Sequence, residues 1–232
     1  MSHYAVAVIH RPDQTIDELL APYDENIEVE PYIKYTRQSA IYYVCTHFDN
    51  IEGKTDDELW HMVADDYEED MIDEDGNIYS TYNPKSKWDW YCVGGRFSGR
   101  MRSIGSDEPC NECLLCDLDV SRDEDEYQAA LHFWDMYVDE TEEDPEVRSY
   151  LRKEYFREYY GDRETYARRS SMFATYAVVT PDGEWHAPGD MGCWGITSSN
   201  ADEERGWYDN YYSRFIDTDD KDLLITIVDC HI

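Results

Sequence analysis

Four groupings of side chains in this sequence have types and spacings that could do chemistry. Cys110, Cys113 and Cys116 recur at three-residue intervals. Three thiolates on a short loop can hold zinc or part of an iron–sulfur cluster. No fourth ligand adjoins them, so Cys92, Cys45 or a histidine would have to complete the set. Zinc sites usually show two separated ligand pairs, and a packed loop of free thiols fits the spacing equally. The cofactor expectation is zinc, and it rests on this trio.

The second grouping is basic. Arg96, Arg100 and Arg102 lie within Gly94-Gly95-Arg96-Phe97-Ser98-Gly99-Arg100-Met101-Arg102. Glycine lets a backbone approach an anion, and arginine grips phosphate with paired N–H groups. The plainer reading, a strand end whose arginines pair with carboxylates, is preferred. The third grouping joins the two ends of the chain. If the first and last strands are antiparallel neighbours, the start of one meets the end of the other. His3 then approaches Asp229 and His231. Histidine with a carboxylate is a usable acid/base or metal pair. Strand ends also carry polar residues simply because they meet water.

The fourth grouping is acidic: Asp65, Asp66, Glu68, Glu69 and Asp70, followed by Asp73, Glu74 and Asp75. Further runs occupy 123–126, 139–146 and 217–222. The chain holds 53 Asp and Glu against 20 Lys and Arg, a net charge of -33. That is roughly four times the upper end of the range usual for a small domain. Such a field suits a basic partner, such as a groove built for nucleic acid. Solubility explains a solvated acidic face as well. Residues 73–77 lack the twelve-residue spacing of a calcium loop and read as a turn.

The elements that must position these groups follow from patterning. The 21 Tyr, 7 Trp and 6 Phe argue against disorder and supply apolar area for a core. No apolar run approaches the roughly 20 residues of a membrane span, and the first residues do not read as a secretory signal. The expectation is a cytoplasmic protein with reduced thiols that binds neither membrane nor nucleic acid directly. Residues 3–9 read as a buried strand, and 15–20 as a short helix with Thr15 and Glu18 in a capping box. Residues 28–35 read as an edge strand, because of Pro31. The stretch 55–70 reads as a helix capped by Thr55 with Glu58. Residues 78–82 and 88–93 look like paired strands across 83–86, and 105–116 like a loop. Two or three helices are expected between 125 and 170, where Tyr127, Ala130, Leu131 and Trp134 keep helical spacing. A strand at 173–180, a hairpin through Asp182-Gly183, a helix at 204–216 and a final strand at 223–232 complete the pattern. The order predicts an α+β fold whose mixed or antiparallel sheet contains both terminal strands. A single domain over 1–232 is expected, with 121–170 as a helical insertion or subdomain.

Several stretches together resemble a family of uncharacterised proteins encoded by bacteriophages and prophages. They are Met1-Ser2-His3-Tyr4, residues 20–26 through Glu30-Pro31-Tyr32, and residues 79–91 (YSTYNPKSKWDWY) with Gly94-Gly95-Arg96. Met191-Gly192-Cys193-Trp194-Gly195 and Val228-Asp229-Cys230-His231-Ile232 also match. Phe97 and Cys193 stand where such proteins tend to have Trp. The family has no established activity, so no residue role carries over. The resemblance implies a phage accessory gene acting in the cytoplasm of a bacterial host, and such genes often counter host defences. The leading expectation is therefore an acidic binding protein rather than an enzyme. It would occupy a nucleic-acid-binding groove of a basic host protein or nucleoprotein through Asp65–Asp75. The alternative is an enzyme or sequestering protein for a phosphorylated small molecule, using Arg96, Arg100, Arg102 and the His3, Asp229, His231 cluster.

Overall fold

A computed structural model describes residues 2–49, 51–106, 108–141, 147–192 and 196–232. The chain forms two compact units, one of Met1–Asp24 with Lys87–Ile232 and one of Glu25–Ser86.

The larger unit is built on β1 (His3–His10), whose run from Tyr4 to Ile9 is apolar and buried on both faces. A strand patterned this way needs neighbours on both edges and layers on both faces. β10 (Leu224–His231) takes one edge, antiparallel and in register from His3↔His231 to His10↔Leu224. β8 (Ala177–Val179) takes the other edge, parallel, and β9 (Trp185–His186) pairs with it across the Asp182-Gly183 turn. The far edge of β10 is shared between β7 (Glu112–Leu114) and β4 (Trp90–Val93). Where one hands over to the other, Gly94 N donates to Ile227 O at 2.8 Å and Ile227 N to Asn111 O at 2.9 Å. The result is an α+β fold with a mixed sheet containing both terminal strands, as the sequence implied.

Alternation sends Ala7, Ile9 and Ile225 to one face, where they meet Trp207 and Tyr211 of α7 (Ala201–Tyr211). That helix continues into a π-helical turn, Tyr212–Ile216, which adds Phe215 to the same core. Tyr4, Val6, Val8 and Val228 face the other way, onto Leu19 and Leu20 of α1 (Ile16–Leu20). Each buried aliphatic side chain contributes about 1.5–3 kcal/mol. Thr15 and Glu18 close the expected capping box at the start of α1. Between β7 and β8 run α4 (Glu124–Phe133), α5 (Lys153–Tyr160) and α6 (Arg163–Ser171). Trp134, Val138 and Phe156 form a core among them, and Arg163 grips Asp135 at 2.6 and 2.7 Å.

In the smaller unit β2 (Glu28–Tyr35) pairs with β3 (Ile78–Tyr82). α2 (Arg37–His47) and α3 (Asp56–Ala64) bury Ala40, Val44, Leu59 and Val63 with Ile78.

Four expectations change. The 78–82 and 88–93 segments do not pair with each other; β3 joins β2 and β4 joins β10. Residues 83–86 do turn, but Lys87 N then donates to Tyr23 O at 2.8 Å and leads the chain away. α3 stops at Ala64 rather than 70. A further turn would carry Asp66 onto the face of Leu59 and Val63, where an unpaired carboxylate is costly. α2 was not anticipated. Residues 105–116 are not plain loop, since β6 (Pro109–Cys110) pairs with β5 (Met101–Arg102) and β7 joins the sheet.

Candidate functional site

The odd-numbered face of β1 runs apolar through Ile9 and Ala7, then turns polar at its start. Full register with β10 sets His3 opposite His231, with Asp229 on the same face. His3 Nδ1 lies 2.8 Å from Asp229 Oδ1. β4 brings a second carboxylate: Asp89, just before it, lies with Oδ1 2.5 Å from His231 Nδ1. The two imidazole rings meet edge to face, with centroids 4.9 Å apart, and the Trp90 indole stands 6.3 Å from His3.

An ionised carboxylate only accepts hydrogen bonds. Each aspartate therefore fixes a proton on Nδ1 of its histidine and leaves Nε2 as the reactive nitrogen. Neither Nε2 has a hydrogen-bond partner among the described residues. Asp229 is almost wholly buried at 1% exposure, while the His3 and His231 side chains keep 17% and 14% of theirs. The carboxylate is thus a fixed anchor and the rings reach solvent.

The glycine pair explains how Asp229 is held. Gly95 has φ +51°, and a Cβ there would come within 2.5 Å of Asp229 and 2.8 Å of Cys92 Sγ. That close approach lets Arg96 N donate to Asp229 Oδ2 at 2.9 Å. The Arg96 guanidinium is exposed and makes no ion pair among the described residues. The Arg96 backbone N is thus fixed on the carboxylate that anchors His3, while its side chain is exposed.

The three arginines do not converge. Arg100 and Arg102 line a cavity with Asp119, Arg122 and Asp123 that Arg96 does not line, and Arg102 pairs with Asp123 at 3.3 Å. The cysteines stay close: Cys113 is in hydrogen-bond contact with Cys110 and within electrostatic reach of Cys116. Cys110 and Cys113 turn toward the core, whereas Cys116 is exposed. Burial, and then the neighbouring Cys110, push Cys113 up to about 12, so without a metal it is a protonated thiol at neutral pH. No cluster of three or more His, Cys, Asp or Glu suited to a metal occurs among the described residues.

Asp65, Asp66, Glu68, Glu69, Asp70, Glu74 and Asp75 are exposed on the smaller unit. Asp65 approaches His61 at 3.0 Å. Asp73 differs, for its Oδ1 accepts Asn77 N at 2.8 Å and Asp75 N at 3.0 Å. The hydrogen bonds from Asn77 hold its carboxyl below the usual range, so Asp73 shapes the turn rather than offering charge outward. Among the described residues no helix is long and apolar enough to cross a membrane.

Sequence reading found His3, Asp229 and His231, took Cys92 only as a spare zinc ligand, and missed Asp89 and Trp90, which it placed in the wrong hairpin. The signal available was a lone aspartate between Trp88 and Trp90. No family model, curated protein or solved structure matches the chain.

Proposed function

We propose that this protein binds a phosphorylated small molecule at the His3–His231 end of its larger sheet and cleaves its phosphoester by acid–base chemistry. The observation that carries this is the pair of facing imidazoles, each anchored through Nδ1 with Nε2 free; the exposed Arg96, whose backbone N holds Asp229, supplies a cation on the same segment. Arg96 would hold the phosphate. A neutral imidazole would take a proton from attacking water through Nε2 as the new P–O bond forms. The other, protonated, would give its proton to the leaving oxygen as the old P–O bond breaks. The two histidines would end with protonation exchanged, and solvent would reset them. An acid or base in such a role typically contributes 10²–10⁴-fold.

The test is phosphorus NMR of a mixture of nucleotide mono- and diesters incubated with the protein. Turnover of one ester that disappears in His3→Asn and in His231→Asn supports the reading. Saturable binding without turnover reduces it to sequestration. An unchanged spectrum with no line broadening removes it.

The exposed carboxylates of 65–75 favour a second reading, an acidic surface that engages a basic, nucleic-acid-handling host protein. The resemblance to phage proteins supports it as a counter-defence role. Capture of such a partner from host extract, released by nucleic acid, would support it; capture indifferent to nucleic acid would count against it.

A further inference from the structure

Two residues interrupt the acidic run of the smaller unit, and both reach the same place. Between exposed Asp66, Glu68, Glu69 and Asp70 stand Tyr67 and Met71, which are half-buried. They form part of the wall of an open cavity of about 330 Å³, within the range of roughly 300–1,000 Å³ common for ligand sites. Tyr79 and Tyr82 of β3 also line it, and Glu25 and Glu28 bring two carboxylates. No lysine, arginine or histidine among the described residues lines it, and every wall residue belongs to the smaller unit.

The local sequence opens this space. Glu28 pairs with Tyr82 and Tyr32 with Ser80, so Val29, Glu30 and Pro31 of β2 stand against Thr81 alone. Pro31 has no N–H to give the ladder, and extra residues on one strand bend it and interrupt its pairing. Glu28, Thr81 and Tyr82, at this bulge, belong to the cavity wall. The wall is built for a positive ligand. A tyrosine ring attracts a cation through its negative face, and a carboxylate adds a counter-charge. Tyr67 already does this for Lys34, whose Nζ stands 5.3 Å from its ring without lining the cavity. The Tyr82 hydroxyl donates to Glu25 at 3.3 Å, which holds ring and carboxylate together. An anion would meet two carboxylates here and no cation. The apolar parts fit more than a bare ion, since Met71 lies in the wall and Ile27 and Tyr82 are 43% and 48% exposed. Such a surface suits the aliphatic stem of a long basic side chain, which buries its methylenes beneath a charged head.

We propose that this cavity binds a lysine or arginine side chain presented by a basic protein. Its charged head would sit among Tyr67, Tyr79, Tyr82 and the carboxylates of Glu25 and Glu28, with its stem against Met71 and Ile27. The inference deepens the acidic-surface reading of 65–75 and rests on it for the source of the side chain. It is independent of the chemistry at His3 and His231.

The test is NMR titration of the intact protein with short glycine peptides, blocked at both ends, that hold one lysine or one arginine, at fixed ionic strength. The ring resonances of Tyr67 and Tyr82 should move along one saturating curve with at least one peptide, and the tighter peptide names the head group. A matching norleucine peptide, which has the stem without the charge, should not bind. Tyr82→Leu and Glu28→Gln should each weaken binding about twofold to fivefold, the scale of one exposed cation–π or ion-pair contact. The double variant Asp49→Asn/Glu52→Gln removes two exposed carboxylates of the same unit that do not line the cavity, and it should bind as the wild type does. Should Tyr82→Leu unfold the unit, Glu28→Gln and the wild-type ring shifts still decide. The proposal is overturned if Tyr67 and Tyr82 do not respond in the wild type, if the norleucine peptide binds equally, or if Asp49→Asn/Glu52→Gln loses as much affinity as Glu28→Gln. Peptide binding without capture of any host protein keeps this site and removes the acidic-surface reading; capture without peptide binding does the reverse.

Discussion

His3 and His231 do not act as isolated side chains, because a carboxylate fixes the tautomer and aim of each. Gly95→Ala should therefore damage the site without touching either ring. The added methyl collides with Asp229 at 2.5 Å in a backbone region that suits glycine. We expect a destabilisation of about 1–3 kcal/mol, measured by urea unfolding, together with loss of ligand binding. Wild-type stability and binding in that variant would contradict the anchoring role of the glycine. The cysteines give a second residue-scale expectation. Burial pushes Cys113 up to about 12, and only the thiolate reacts fast with an alkylating agent. At neutral pH, mass mapping should find exposed Cys116 labelled first and Cys113 nearly spared, with Cys113 labelling rising as pH rises. Equal rates at neutral pH would argue against a buried, protonated Cys113.

Among the elements, capping boxes were the most legible feature. Thr15 with Glu18 and Thr55 with Glu58 both form as the spacing indicated. Thr55→Ala should cost about 1 kcal/mol by denaturant titration, the usual worth of an N-cap; no change would mean α3 is fixed by packing alone. The terminal strands were legible for a similar reason. Their β-branched runs left little choice, and register then delivered His3 to His231. α2 was not legible because RQSAIYYVCTH mixes aromatic and β-branched residues in neither clear period, and only Thr36 marks its start. Asp89 was hidden because strand pairing is non-local, and nothing near 78–93 says that β4 belongs beside β10. The α4–α6 region offers a pH test. Hydrogen bonds from Arg163 hold the Asp135 carboxyl below its usual range. A depressed folded value gives stability that is present above the unfolded value, about 3.9. It is lost as pH falls through the folded one. Asp135→Asn should cost at most about 1 kcal/mol near neutrality, since solvent screens a part-exposed pair. The gap from wild type should close in strong acid; a gap that persists there would assign the cost to packing.

At the scale of the molecule, a net charge of -33 repels anions from most of the surface. An anion bound at the proposed site would need the exposed Arg96 side chain and imidazole N–H groups to offset both this field and the anchoring Asp89 and Asp229. Charge also separates the two functional readings. A basic partner on the 65–75 surface should associate more slowly and bind more weakly as salt rises, because exposed charges are screened over about 8 Å at physiological ionic strength. Phosphate-ester binding should not weaken in the same steep way, because screening also relieves the repulsion. Salt titration of each, followed by surface resonance or calorimetry, checks this; equal steep losses would mean that one acidic surface accounts for both. Imidazole nitrogen NMR shows directly whether His3 and His231 form one ligand site, as proposed. With each aspartate holding Nδ1, titration with a nucleoside monophosphate should move both Nε2 resonances together along one saturating curve, while the Nδ1 signals move little. Nε2 signals that stay still at saturating ester, or that move independently, would contradict it.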